Sequence, residues 1–195
     1  VRLRSGRADL HQVQAQAAQA LEHAVQTGLV RGFGPQDGQR RLLAEDPSLW
    51  PNAVDEVLRV ESPVQRTGRR AKRDTTVHGV PIAEGELVLC LLAAANRDPR
   101  VFPDPHAFDV TRANARDHVA FSSGIHYCLG APLARLEGEI AFRTLLGRCA
   151  GLALDPSRPL GWRVSLGSRG LRELPVTFLA KPTMPLDEQA TIKVA

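Results

Sequence analysis

The chain has 195 residues, 43% hydrophobic and 24% charged, with a formal net charge of +4, enough to bury one substantial core and typical of a globular protein. No run approaches the ~18 apolar residues that span a bilayer. The first residues, with Arg2, Arg4 and Arg7 ahead of a Gln/Ala-rich stretch, lack the apolar segment of a secretory signal, which predicts a cytoplasmic protein without a membrane anchor.

In chain order, residues 9–27 carry Leu10, Val13, Ala17, Leu21, Ala24 and Val25 at helical spacing, with Gly28 as a stop. Gly32, Gly34, Pro35 and Gly38 then read as a flexible connection. A second helix is predicted from about Pro51, with Val54, Val57 and Leu58 as its stripe and Pro63 beyond its end. Residues 75–80 and 86–91 are rich in β-branched and aliphatic side chains around a turn at Glu84-Gly85, which predicts a small antiparallel sheet. Pro99, Pro103 and Pro105 mark residues 96–112 as a loop region. A long helix is expected from Pro132, with Leu133, Leu136, Ile140, Leu145 and Leu146 as its apolar positions. Residues 162–166 and 174–179, around a turn at 167–170, read as a hairpin, and residues 181–195 as a loose tail. The sum is a mainly α chain with small antiparallel sheets, an α+β class, and no internal repeat.

Three cysteines, Cys90, Cys128 and Cys149, lie far apart, without the close pairing of a zinc site or the even count of a disulfide framework. A single functional thiolate fits better. Cys128 sits in Phe121-Ser122-Ser123-Gly124-Ile125-His126-Tyr127-Cys128-Leu129-Gly130. Gly124 and Gly130 supply a loop whose backbone amides can face a sulfur, and a helix starting at Ala131 or Pro132 adds the positive end of its dipole. An isolated cysteine more often serves as a small buried hydrophobe. The densest basic stretch, Arg66, Arg69, Arg70, Lys72 and Arg73, has no interleaved aromatics; an anionic cofactor or an acidic redox partner accounts for it as well as nucleic acid does.

The loop motif, continued by Ala131-Pro132-Leu133-Ala134-Arg135-Leu136-Glu137, resembles the haem loop and following helix of bacterial cytochromes P-450. Glu56 and Arg59, one helical turn apart, match that family's Glu-x-x-Arg pair. The stretch from Glu61-Ser62-Pro63 through Ala95-Asn96-Arg97-Asp98-Pro99 and Phe102-Pro103-Asp104-Pro105 is also similar. The likeness covers residues 43–180, leaving residues 1–42 as a helical segment unlike the family and 181–195 as a tail.

The resemblance implies the C-terminal portion of the cytochrome P-450 fold. It makes Cys128 the catalytic residue and the axial ligand of a haem b iron, with His126 and Arg69, or Arg66, on the propionates. Phe121, Gly124 and Gly130 shape the loop, and Glu56 with Arg59 forms a structural pair. It implies a monooxygenase that inserts one atom of dioxygen into a small apolar organic substrate. Electrons come from NAD(P)H through a ferredoxin or flavoprotein reductase, with neither nucleic acid nor membrane as partner. Residues 64–67 and 167–170 are the candidate substrate-facing segments.

Departures from the pattern are specific. Where the family carries a further arginine that joins the Glu-x-x-Arg pair, this chain has Ala107, and His106 or Arg112 stands nearby as a substitute. Ser122 and Ser123 occupy positions that are commonly glycine, which predicts some strain in the loop. The chain is roughly half the length of a typical member, and no acid/alcohol-Thr proton-delivery motif precedes Leu43. A shifted reading frame over the first forty or so residues is one reading of that composition. The alternative function is therefore a truncated, catalytically inactive remnant, and a third reading is a basic nucleic-acid-binding module on residues 66–73.

Overall fold

The structure is a computed structural model that describes residues 38–165, 167–180 and 189–193. The helix expected over residues 9–27 lies outside the described residues. The chain enters with helix α1 (Gly38–Glu45), where the sequence reading had placed the end of a flexible connection, followed by a 3-10 turn, Pro47–Leu49, capped by the Asp46 carboxylate on the Ser48 amide at 2.9 Å. Helix α2 (Trp50–Val60) has Pro51 in its first turn, where the missing N–H costs nothing, and Arg59 in its last turn, favourable to the dipole. It closes on Glu61, whose amide donates to the Val57 carbonyl at 2.8 Å, just ahead of Pro63. Apart from Pro51 and Asn52, every residue of α2 is buried, Asp55, Glu56 and Arg59 included. A helix buried on all sides must pair its charges internally, and that requirement shapes the site.

Two small sheets follow. Strand β1 (Thr67–Arg70) pairs antiparallel with β4 (Leu87–Cys90), Thr67 opposite Cys90 and Arg70 opposite Leu87, while β2 (Thr75–Val77) and β3 (Val80–Ile82) form a separate hairpin. This corrects the expectation of one strand over 75–80 paired with 86–91. His78 and Gly79 both take positive φ, 47° and 80°, the backbone of a two-residue hairpin turn, so the predicted strand folds back on itself. The partner of residues 87–90 lies before that hairpin, in a stretch whose arginines concealed a strand.

After a short helix, α3 (Leu92–Ala95), the chain runs through the proline-punctuated region to helix α4 (Ala131–Arg148), with Pro132 in its first turn. Its buried residues are Ala131, Ala134, Gly138 and Phe142; of the expected apolar positions Leu145 and Leu146 pack against the core, whereas Leu133, Leu136 and Ile140 are 42%, 56% and 56% exposed. The small-residue face is the one that lets α4 approach the α2 side of the core, and Phe142, fully buried, belongs to the same core cluster as residues of α2 and of the last sheet. That sheet has the order β5 (Cys149–Leu154), β6 (Glu173–Ala180), β7 (Gln189–Lys193), all antiparallel.

Of the expected arm over 162–166, the described residues 162–165 do not pair with 174–179 as a regular hairpin. Trp162 forms an isolated bridge to Leu171, and β6 takes β5 and β7 as its neighbours. β7 also corrects the loose-tail reading over 189–193. Among the described residues no helix is long and apolar enough to cross a membrane. The α+β class with small antiparallel sheets stands as expected.

Candidate haem site

Glu56 and Arg59, both 0% exposed, form a two-pronged ion pair: Arg59 Nε donates to Oε2 at 2.7 Å and Nη2 to Oε1 at 2.8 Å. The remaining guanidinium donors go to the carbonyls of Asn96 at 3.0 Å, Pro105 at 2.9 Å and Ala107 at 2.9 Å. All five N–H groups of Arg59 are thus satisfied, the condition under which a buried cation is tolerated. The third arginine is Arg112. Its Nε donates to Glu56 Oε1 at 3.1 Å, and its Nη atoms reach the carbonyls of Pro103 and Asp104 at 2.6 Å and 3.1 Å. Of the two substitutes for the arginine absent at Ala107, the geometry selects Arg112 rather than His106. The Ala107 carbonyl itself accepts from both arginines, at 2.9 Å and 3.3 Å.

This knot holds the proline-punctuated segment against α2. Asn96, fully buried, continues the connection: its Nδ2 donates to Ser62 Oγ at 2.7 Å, and its Oδ1 accepts the Val119 amide at 2.7 Å, two residues before Phe121. The cysteine loop is therefore anchored at its start by the same polar network.

The loop closes when the Cys128 amide donates to the Phe121 carbonyl at 3.0 Å, around a 3-10 turn, Gly124–His126. Gly124 has φ +67°, and Ser122 has φ +65°, a left-handed conformation in which a side chain carries strain. The Ala131 amide returns to the Cys128 carbonyl at 3.2 Å, seating the cysteine ahead of the first turn of α4. Cys128 is half-buried, while Ile125 and Leu129 are 98% and 81% exposed.

Arg69, on β1, reaches this loop: Nη2 donates to Ser122 Oγ at 3.3 Å, and Nη1 to Thr67 Oγ1 at 2.8 Å. Among the described hydrogen bonds Arg66 makes no such link, and His126 stands exposed on the 3-10 turn. The candidate substrate-facing segments, distant in sequence, meet in space: Val64 bridges Ser168, and the Gln65 amide donates to the Gly167 carbonyl at 2.9 Å.

A second network was missed by sequence reasoning. Asp55, next to Glu56 but turned to another face of α2, accepts from His118 Nε2 at 3.1 Å and from Arg135 Nε at 2.7 Å. Burial by itself would raise the Asp55 pKa, but the hydrogen bonds from His118 and Arg135, with the Arg135 charge, outweigh it and hold the carboxyl below its ordinary range. A buried acid beside the Glu-x-x-Arg pair was the available signal, since such a group needs a cation somewhere in the fold.

The donor set fits a haem. Cys128, a single half-buried thiol, would suit a metal whose remaining ligands come from a macrocycle. Exposed apolar side chains at Ile125 and Leu129 suit a flat apolar ring, and the Arg69 guanidinium beside the loop suits an anionic periphery.

Comparison with known proteins agrees with this geometry. The cytochrome P-450 family profile matches residues 45–157. Cytochrome P-450 140 of Mycobacterium tuberculosis is 60% identical over 106 residues, 54% of this chain and 24% of its own length. The 6-deoxyerythronolide B hydroxylase of Saccharopolyspora erythraea is 49% identical over 139 residues, 71% of this chain and 34% of its own length. Among solved structures, P-450BioI in complex with acyl carrier protein ligated to hexadec-9Z-enoic acid superposes with a TM-score of 0.74 at 43% identity, covering 84% of this chain and 41% of that one. The chain thus spans about a quarter to about a third of the length of these curated relatives. With the profile matched over more than half of its residues, the chain belongs to the cytochrome P-450 family.

Proposed function

We propose that residues 43–180 form the haem-thiolate region of a monooxygenase that inserts one atom of dioxygen into an apolar organic substrate, with Cys128 as axial ligand of a haem b iron. The observation that carries this reading is the loop closed by the Cys128 amide on Phe121 O at 3.0 Å, which leaves the thiol half-buried before α4. When bound, a thiolate-ligated haem supplies dioxygen activation, because electron donation from sulfur favours cleavage of the O–O bond. The chain's own groups bind and orient. Arg69 and His126 take the propionates, with Arg66 as the alternative cation, and Phe121, Gly124 and Gly130 shape the loop. Glu56, Arg59 and Arg112 fix the frame on which the loop stands. Electrons reach the site from NAD(P)H through a ferredoxin or flavoprotein reductase in the cytoplasm.

An apolar substrate is supported by two relatives: one is named as the hydroxylase of 6-deoxyerythronolide B, and one was solved with hexadec-9Z-enoic acid on acyl carrier protein. The joined segments at Val64–Gln65 and Gly167–Ser168 are the surface this chain would offer to such a molecule. The test is an absorption spectrum of the haem-reconstituted chain, reduced and exposed to carbon monoxide. A thiolate-type Soret shift that disappears in Cys128→Ser supports the ligand; the same shift persisting in that variant contradicts it.

A second reading, a chain that holds haem without turnover, is favoured by the exposed row Leu133, Leu136 and Ile140 along α4, an apolar face of the kind that normally meets a partner surface. Haem uptake without product formation, when reductase and substrate are supplied, would distinguish it.

A further inference from the structure

Within the haem reading above, on which this inference rests, we infer that Arg135 is the positioning residue of the Cys128 loop, holding Tyr127 and Phe121 so that the sulfur is presented in one orientation. Arg135 lies in the second turn of α4. Its Nε donates to Asp55 Oδ1 at 2.7 Å, its Nη1 to the Tyr127 hydroxyl at 2.9 Å, and its guanidinium lies 4.8 Å from the Phe121 ring centroid. Tyr127 immediately precedes Cys128, and Phe121 supplies the carbonyl that receives the Cys128 amide. One cation therefore contacts both ends of the turn that carries the sulfur.

The other side of Phe121 is also closed. The His118 ring lies 5.7 Å from it, and the Phe121 and Tyr127 rings meet edge-on at 6.4 Å. His118 Nδ1 accepts the Ala120 amide at 3.1 Å, which leaves Nε2–H to donate to Asp55 at 3.1 Å. The contacts form a ring: Asp55 to His118, His118 to Phe121, Phe121 to Arg135, and Arg135 back to Asp55. Asp55 belongs to the buried helix α2, so the ring transfers the rigidity of the core to a loop whose own side chains at Ile125 and Leu129 stand in solvent.

The chemistry favours arginine specifically. A planar guanidinium donates to two acceptors in fixed directions while lying against an aromatic face; an ammonium reaches one acceptor as a point charge. Arg135 has the same dual engagement on the electrostatic side. Desolvation lowers its pKa, yet hydrogen bonds to Tyr127 and Asp55 and the Asp55 charge raise it overall, so the cation persists.

The experiment compares Arg135→Gln, Arg135→Lys and Tyr127→Phe in the full chain by two readouts. The first is amide hydrogen exchange of the haem-free chain. In Arg135→Gln the Cys128 amide exchanges about tenfold faster, the equivalent of one charge-assisted hydrogen bond, while α2 amides keep their protection. The second is the reduced, carbon monoxide spectrum of the haem-loaded chain, in which Arg135→Gln loses most of the thiolate-type Soret band to a thiol-ligated form. Arg135→Lys recovers neither readout fully, and Tyr127→Phe shifts both in the same direction by a smaller factor. If Arg135→Gln fails to fold, Tyr127→Phe, which removes one hydroxyl from a half-exposed side chain, decides the matter. Wild-type exchange at Cys128 in Arg135→Gln overturns the inference, as does full recovery by lysine. A wild-type chain that gives no thiolate spectrum sinks the haem reading instead, and the exchange data then decide the brace alone.

Discussion

Around Arg59 every donor has an acceptor and nothing is exposed, whereas around Cys128 the flanking Ile125 and Leu129 stand almost wholly in solvent and Ser122 sits in a left-handed conformation. The two regions lie on one polar network, joined through Asn96, yet they are built for different purposes. The Glu56 knot is a framework in which charges are traded for exact partners, and it leaves no group available to a ligand. The cysteine loop keeps its thiol half-buried, with cations nearby and apolar side chains outward, the arrangement of a surface meant to be covered. Rigidity is concentrated where no ligand binds and lent to the place where one would.

Removing a member of the knot has the largest effect. Arg59→Met leaves the buried Glu56 carboxylate with Arg112 and the Asp109 amide, at 3.1 Å and 3.0 Å, as its remaining partners and costs about 3–5 kcal/mol of stability, read from urea unfolding. Phe142→Ala, at a core site with 0% exposure, costs about 3–5 kcal/mol by the same measurement. Arg112→Met, at the knot's edge, costs less, about 2 kcal/mol, in proportion to its charge-assisted bonds. None of these substitutions touches the sulfur, so any loss of haem follows the loss of fold.

Substitutions in the loop have smaller effects and a different sign. Ser122→Gly relieves the left-handed backbone and raises stability by about 0.5–1 kcal/mol, while it removes the oxygen that receives Arg69 at 3.3 Å. A more stable chain with weaker haem affinity is the expected pairing; reduced stability would contradict the strain.

Acid separates the two regions further. Because the Asp55 pKa is depressed in the folded chain, its contribution is present above the unfolded value near 4 and is lost as pH falls through the folded value. Unfolding followed from pH 5 downward shows this loss, and Asp55→Asn flattens that part of the profile. On the surface, Asp98 is held at about 2 by hydrogen bonds from Arg100, and Arg100→Gln returns its titration toward the ordinary carboxylate value. An NMR titration detects that shift, and thermal unfolding near neutral pH does not move, since exposed pairs contribute little.

Much of the site was legible because its chemistry is local in sequence. The loop from Phe121 to Gly130, the Glu56–Arg59 spacing and the helix start at Pro132 are all short-range signals, and α2 and α4 form where propensity and proline placement put them. What escaped was long-range or inverted. The partner of β6 is β5, across an intervening segment that the sequence read as one arm of a hairpin. On α4 Leu133, Leu136 and Ile140 mark the open face, and the small residues Ala131, Ala134 and Gly138 mark the packed one. Hydrophobic spacing identifies a helix well and its buried face less well when close approach, rather than bulk, decides the packing. Arg135 was hidden for a related reason, since it completes a charge on α2 that lies 80 residues away, whereas Arg112, 56 residues from Glu56, was legible only as one of two substitutes for the arginine absent at Ala107.

The most direct test of the account is X-ray absorption at the iron edge of the haem-loaded chain, compared with Cys128→Ser. One sulfur scatterer on the iron is expected in the parent chain and none in the variant. Iron bound with only nitrogen or oxygen neighbours in the parent chain would contradict it.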